Sequence, residues 1–222
     1  FELALDHLGG KFGGMDVELT KKDTQHKPDV GRTIMNEFIK KERVNFVAGI
    51  TWSNVLAAVW KQASRSKTYL ISANAGWSGM AGKNCNPYFF QASWNNDMIP
   101  EAMGRLMKEE GIKDVFELSA NYQAGKDMLS GFNRRYQTPT KGKILYKLGN
   151  NDWQAEISQI RSIKPSAIFG FLPGGMGVSF MKQYKAAGLD KTVKLYTVYT
   201  VDHGTIGAHG TNAIGSYHTT FW

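Results

Sequence analysis

A serine at a helix start, aromatic residues at the ends of strand-length runs, a glycine-rich turn, three of the five histidines and the one cysteine are among the groups with chemistry to offer in this chain. Ser53 opens a helical pattern running to about Ser64, and a hydroxyl beside the free amides of a helix start binds an anion without a full positive charge. Trp52, Trp77, Tyr122, Phe171 and Tyr199 stand on loops or strand ends. Rings placed there stack on a flat apolar ligand if they face a crevice, and pack as core or hinge if they do not. Leu172-Pro173-Gly174-Gly175-Met176-Gly177 lies between a strand and a helix, as a phosphate-cradling loop does, but it has neither the full GxGxxG nor the P-loop pattern. Its glycines, next to Pro173, read as room for a close approach of ligand or backbone.

The remaining reactive groups point away from catalysis. His203, His209 and His218 are six and nine residues apart, which puts no pair on one helical face, and no cysteine or acidic cluster completes a metal set. Neither a metal nor any other cofactor is expected. Cys85 sits between Asn84 and Asn86-Pro87, a turn-like context with nothing that resembles a nucleophile site. As the only cysteine it forms no internal disulfide; its thiol is either buried or paired outside this chain.

The elements that must position these groups follow from the apolar pattern. At 222 residues, with 42% hydrophobic and 12% aromatic residues, the chain is long enough for one large α/β unit or two lobes. No apolar run approaches the roughly 18 residues that span a bilayer. Lys and Arg number 27 against 19 Asp and Glu, a net +8, but the charges lie in short interleaved clusters such as Lys21-Lys22 and Lys40-Lys41. No basic stripe with stacking aromatics appears, so nucleic acid is not an expected partner.

Strand-length apolar runs alternate with amphipathic stretches, which predicts an α/β protein with parallel sheets flanked by helices. Phe1 to Leu8 reads as a helix tail and Asp16 to Thr20 as a strand. Pro28-Asp29 opens a helix with Val30, Ile34, Phe38 and Ile39 on one face. Strands are expected over Val44 to Ile50, Thr68 to Ser72 and Tyr88 to Ala92, with residues 73–87 a long loop of the kind that carries function. The alternation restarts after Trp94-Asn95-Asn96-Asp97, with Asp97 as a helix cap. It runs through helix Ile99 to Glu110, strand Asp114 to Ser119, helix Gln123 to Tyr136, strand Lys143 to Leu148, helix Trp153 to Ile163, strand Ala167 to Leu172, helix Val178 to Ala187, strand Lys194 to Val198 and a last strand-like run, Tyr217 to Trp222. The division expected is a first lobe over 1–94, lacking its first strand, and a second over 95–222. Both ends read as cut, so the intact protein is expected to be longer.

The order of motifs resembles the periplasmic leucine/isoleucine/valine-binding family, the substrate-binding proteins of ABC transporters with the type I periplasmic-binding fold. The likeness is carried by Gly9-Gly10 and Gly13-Gly14, Lys22-Asp23-Thr24-Gln25 with Pro28 beyond, Val47-Ala48-Gly49-Ile50 leading into Ser53, Leu70-Ile71-Ser72-Ala73, Asn86-Pro87-Tyr88-Phe89-Phe90 and Lys185-Ala186-Ala187-Gly188-Leu189. The resemblance implies two lobes that close on a small ligand, outside the cytoplasm, and a membrane permease as partner. It also implies that a ligand carboxylate is fixed at positions matching Thr51, Trp52, Ser53 and Asn54, and then Asn74, Ala75, Gly76 and Trp77. Two departures bear on the ligand. The family's Tyr-Gly pair becomes Tyr122-Gln123-Ala124-Gly125, and where an ammonium-holding acid is expected the chain has Thr197-Val198-Tyr199-Thr200, with Asp202 the nearest acid. An ammonium without an acidic partner is costly to bury. The aromatic set therefore favours an aromatic carboxylate, of the benzoate or hydroxycinnamate kind, over a branched-chain amino acid. A sensory domain of the same fold is the rival from another class.

Overall fold

The computed structural model describes residues 1–221. Helix α1 (Glu2–His7) leads into a two-stranded antiparallel hairpin, β1 (Lys11–Phe12) and β2 (Met15–Asp16). The strand expected over Asp16 to Thr20 is thus reduced to its first residue. Gly13 and Gly14, both at positive φ, turn the chain back at once, so Met15–Asp16 pairs with Lys11–Phe12, and past the Val17 amide, which donates to the Gly10 carbonyl at 3.0 Å, the ladder is not continued.

Helix α2 (Pro28–Glu37) starts on its proline, and the chain then passes through β3 (Phe46–Gly49), α3 (Ser53–Arg65), β4 (Tyr69–Ser72) and β5 (Phe89–Gln91). The three strands form one parallel sheet in the order β3-β4-β5. Residues 73–87 wind through two short 3-10 turns, Ser78–Met80 and Gly82–Asn84. Cys85 closes the second and is exposed, which corrects the buried alternative.

The second half builds α4 (Ile99–Glu109), β6 (Val115–Ala120), α5 (Gln123–Tyr136), β7 (Gly142–Tyr146), α6 (Gln154–Ile163), β8 (Ala167–Phe171), α7 (Gly175–Ala186), β9 (Lys194–Val198), α8 (Ile206–His209) and β10 (Tyr217–Thr219). Its five strands are all parallel, in the order β10-β9-β8-β6-β7. Helix α7 begins three residues earlier than expected, because Gly174 at φ +63 swings the chain out of β8 directly into the helix. The last strand ends at Thr219, and Trp222, which the sequence assigned to it, lies outside the described residues. Among the described residues no helix is long and apolar enough to cross a membrane.

The five-stranded sheet is covered on both faces, as parallel sheets are. Phe116, Leu118, Ile168 and Leu195 pack against α6 and α7 through Ile157, Ile160, Phe180 and Met181. Val115, Phe169, Tyr196 and Val198 pack against α4 and α5 through Met103, Met107, Met128 and Phe132. One face of the three-stranded sheet is covered through Met35, Val55, Leu56 and Val59. From β6 the chain goes to β7 on one side and then to β8 on the other. In an open parallel sheet a ligand crevice lies at such a reversal, outside the carboxyl ends of the strands, here β6 and β8.

A carboxyl group of the sheet itself is buried here. Glu117 on β6 is 3% exposed and accepts a hydrogen bond from the Asn133 amide, and its burial holds the carboxyl above the ordinary glutamate value. A raised value in the folded state means that the folded protein binds the proton more tightly. The penalty for ionising Glu117 is therefore absent below the ordinary value and grows as pH rises through the raised one. Glu117→Gln is expected to melt above the wild type at neutral pH, with the gap closing as the melts are taken down through pH 4.5, the ordinary value. A gap that widened on acidification would contradict this assignment.

Candidate functional site

At the end of β3 the backbone turns sharply, with Gly49 at φ +114 and Ile50 at φ +62, and delivers Thr51 and Trp52 to the start of α3. The first amides of a helix have no carbonyl behind them to receive their hydrogens. Here no side chain caps them. Ser53, 2% exposed, is the first residue of α3, and its Oγ accepts a hydrogen bond from Asn96 Nδ2 at 3.0 Å. Trp52 Nε1 and Asn54 Oδ1 are buried without a hydrogen-bond partner. Unpartnered polar atoms around an uncapped helix start are what an incoming polar group would satisfy.

The loop after β4 is tied to this turn. Asn74 Nδ2 donates to the Thr51 carbonyl at 2.9 Å, the Ala75 amide donates to the Ile50 carbonyl at 3.0 Å, and Ser72 Oγ donates to the Ala75 carbonyl at 2.7 Å. Gly76 lies under the crossover between the sheets. Its carbonyl accepts from the Asn96 amide at 2.8 Å, and a Cβ on it would come within 2.2 Å of the Trp94 carbonyl oxygen. Trp77 parts company with Trp52. Its ring packs on Trp60 at 6.2 Å and over Gly79, where a Cβ would meet the indole at 2.5 Å. There it lines a surface groove with Arg32, Lys61 and Asn84.

Trp52 meets the other half of the molecule instead. Its ring lies 4.2 Å from His26 and 5.5 Å from Tyr122, and Tyr122 in turn lies 6.2 Å from Phe171. Tyr122 precedes α5 at the end of β6, and Phe171 ends β8, the two strands of the reversal. Burial, with the Asp127 charge added to it, holds the Tyr122 phenol far above its ordinary range, so it remains a hydrogen donor. The Phe171 carbonyl is held by the Tyr146 hydroxyl at 2.8 Å. Pro173 follows on the same loop, where Gly177 lets the helix approach: a Cβ there would fall 2.4 Å from the Leu172 carbonyl oxygen.

A second ring group bridges the halves. Tyr199, at φ +49, stacks on Trp94 at 4.9 Å, and Trp94 stacks on Phe221 at 4.7 Å. The Tyr199 hydroxyl is buried without a partner. Asp202 is not brought to either group. It is exposed, and its Oδ1 accepts from the amide and the hydroxyl of Thr205, both at 2.9 Å. His209 is buried with Nε2 2.9 Å from the Thr200 carbonyl, and His218 Nδ1 lies 3.1 Å from Thr197 Oγ1. Among the described residues no cluster of histidine, cysteine and acid side chains can hold a metal.

Two polar residues that the sequence did not single out join the halves. Asn96 Nδ2 donates to Asp127 Oδ2 at 3.1 Å as well as to Ser53, and the Ser78 amide also donates to Asp127 Oδ2 at 3.1 Å. Gln123 Nε2 donates to Asp127 Oδ1 at 2.9 Å. Asp97, expected as the cap of α4, is drawn elsewhere: Arg134 Nη2 binds its carboxylate at 2.6 Å, and Met98 occupies the uncapped N-terminal position. An ion pair to a guanidinium outweighs a local capping bond in this place.

The profile of the family described as "Periplasmic binding protein" matches residues 1–222. The Leu/Ile/Val-binding protein homolog 6 of Brucella melitensis biotype 1 is 26% identical over 221 residues, 96% of this chain and 56% of that protein. A solute-binding protein of an ABC transporter from R. palustris, solved in complex with benzoate, superposes with a TM-score of 0.89 at 28% identity, covering 98% of this chain and 61% of that one. A second, from Rhodopseudomonas palustris BisB5 in complex with 3,4-dihydroxybenzoic acid, superposes with a TM-score of 0.87 at 28% identity, covering 97% and 60%. This chain thus spans a little over half the length of the curated relative it matches. With two parallel sheets whose strand ends face each other across shared rings, and a profile match over every residue, the chain belongs to the periplasmic binding protein family.

Proposed function

We propose that this chain is the ligand-holding part of an extracytoplasmic solute-binding protein of an ABC transporter, taking a small aromatic carboxylate between a lobe over 1–94 and a lobe over 95–222 and presenting it to a membrane permease. The role is binding, with no reaction catalysed. The observation that carries this reading is the position of the Trp52 ring, at the uncapped start of α3 and 5.5 Å from Tyr122. One end of the crevice therefore offers amides and a hydroxyl to an anion, and the adjoining part offers ring faces. The benzoate and dihydroxybenzoate held by the two R. palustris proteins support the same chemistry. The names of the Brucella relatives favour an amino acid as the second reading. Against it stands Asp202, exposed and engaged by Thr205, which leaves an ammonium group without a buried acid at that position.

Calorimetry with benzoate, 4-hydroxycinnamate and leucine separates the two. Wild type is expected to bind the aromatic acids more tightly than leucine. Trp52→Ala should weaken benzoate by about tenfold, the loss of one ring contact together with its buried area. Trp77→Ala should leave benzoate affinity unchanged, because that ring packs on Trp60. Tighter binding of leucine than of either aromatic acid would replace this proposal with the amino-acid reading.

A further inference from the structure

We infer that Asn96 and Asp127 are positioning residues that set the direction of the Ser53 hydroxyl, leaving its hydrogen free for the ligand carboxylate; the inference rests on the proposed carboxylate-binding function. A serine hydroxyl has one hydrogen to give and two lone pairs to offer. In this structure Asn96 Nδ2 donates to Ser53 Oγ at 3.0 Å, so the oxygen acts as acceptor. Among the described residues no acceptor takes the Ser53 hydrogen.

What keeps Asn96 in the donating orientation is Asp127. A carboxylate only accepts, and both of its oxygens are engaged by donors: the Ser78 amide at 3.1 Å and Asn96 Nδ2 at 3.1 Å on Oδ2, and Gln123 Nε2 at 2.9 Å on Oδ1. Turning the Asn96 amide over would set its carbonyl oxygen against that carboxylate and leave Ser53 facing an acceptor. The serine would then spend its hydrogen on Asn96 and present lone pairs to an anion. Because Asn96 is 3% exposed and Asp127 8% exposed, water is poorly placed to substitute for either partner. The same carboxylate joins α5 to the loop after β4 through Ser78, so the hydroxyl is set only when the two halves are in contact. Neither Asn96 nor Asp127 needs to touch the ligand for this.

The test is a double-mutant cycle on the full-length protein, read as calorimetric Kd for benzoate with melting curves of the unliganded variants alongside. Ser53→Ala is expected to weaken benzoate by about tenfold or more, the loss of a hydrogen bond to a charged group. Asn96→Ala is expected to weaken it comparably, and the double variant no further than the weaker single one, because Asn96 acts through Ser53. Asp127→Asn, which keeps the side-chain shape but sets an amide against three donors, should enter the same non-additive cycle with Ser53→Ala and stands in if Asn96→Ala fails to fold. Additive losses, or unchanged benzoate affinity in a folded Asn96 or Asp127 variant, would overturn the inference. A wild type that binds leucine and not benzoate would refute the aromatic ligand alone, and the cycle then runs on leucine, whose carboxylate needs the same donor; a wild type that binds neither removes both.

Discussion

Trp153→Ala is expected to lower the unfolding free energy by about 3–5 kcal/mol, the range for emptying a large aromatic site in a core that cannot collapse around it. Trp153 is fully buried, its Nε1 donates to Ser179 Oγ at 2.8 Å, and its ring meets Tyr146 and Phe180 edge-on at 4.8 and 5.3 Å. Its backbone amide also donates to Gln183 at 2.9 Å, so one residue ties the start of α6 to α7. The loss reaches the crevice through Tyr146, whose hydroxyl holds the Phe171 carbonyl at 2.8 Å. Trp153→Phe keeps a ring but gives up the bond to Ser179, and should cost less, with Ser179 keeping the bond that it donates to the Met176 carbonyl at 3.0 Å. At about 2–4 °C per kcal/mol for a chain of this size, the alanine variant should melt roughly 10 °C lower. A loss below about 1 kcal/mol in urea titration would mean that the site repacks, and this account of the core would be wrong.

The second large effect is expected at Gly125, in the first turn of α5. A Cβ there would lie 1.9 Å from the Ala120 carbonyl oxygen and 2.8 Å from Ser119 Oγ. Alanine is better than glycine inside a helix by about 1 kcal/mol, a gain in the opposite direction. The closer clash is with the Ala120 carbonyl, backbone that belongs to β6, and it cannot rotate away as the Ser119 hydroxyl can. Overpacking of this kind costs about 1–3 kcal/mol and occasionally more. Relief requires the start of α5 to lift off the strand, carrying with it Tyr122, which precedes the helix, and Asp127, two residues further along it. Gly125→Ala should therefore weaken benzoate as well as lower the melting temperature. Gly111, at φ +66 with open space around its Cβ position, is the control: alanine there is strained locally but should leave ligand affinity untouched. Unchanged affinity in a folded Gly125→Ala protein would separate the helix start from the site.

Local pattern carried most of the architecture. Helix α5 and strand β9 run over the residues that their periodicity and flanking breakers predict, Gln123–Tyr136 and Lys194–Val198. A helix or a buried strand is encoded in neighbours a few residues apart, and so it can be read without knowing the fold. Ser53 at a helix start was legible for the same reason. The hairpin at β1–β2 was not, because whether residues 16–20 form a strand depends on a pairing partner and not on their own alternation.

The site itself was decided in three dimensions. Trp52 and Trp77 both follow a strand by a few residues, and nothing local distinguishes them. Trp60 on α3 and the missing side chain of Gly79 receive Trp77, while Tyr122 receives Trp52. Asp97 satisfies the local rule for a cap, yet Arg134, 37 positions along the chain, claims it. Ser53 and Asn96 are 43 positions apart and Asn96 and Asp127 are 31 apart, so the bonds that orient the hydroxyl leave no periodic trace. What the sequence determined by itself is the set of elements, since apolar spacing and chain breakers act within a turn or two. What only the tertiary structure decided is which polar and aromatic side chains meet, since a hydrogen bond or a ring contact depends on where two distant segments have been brought.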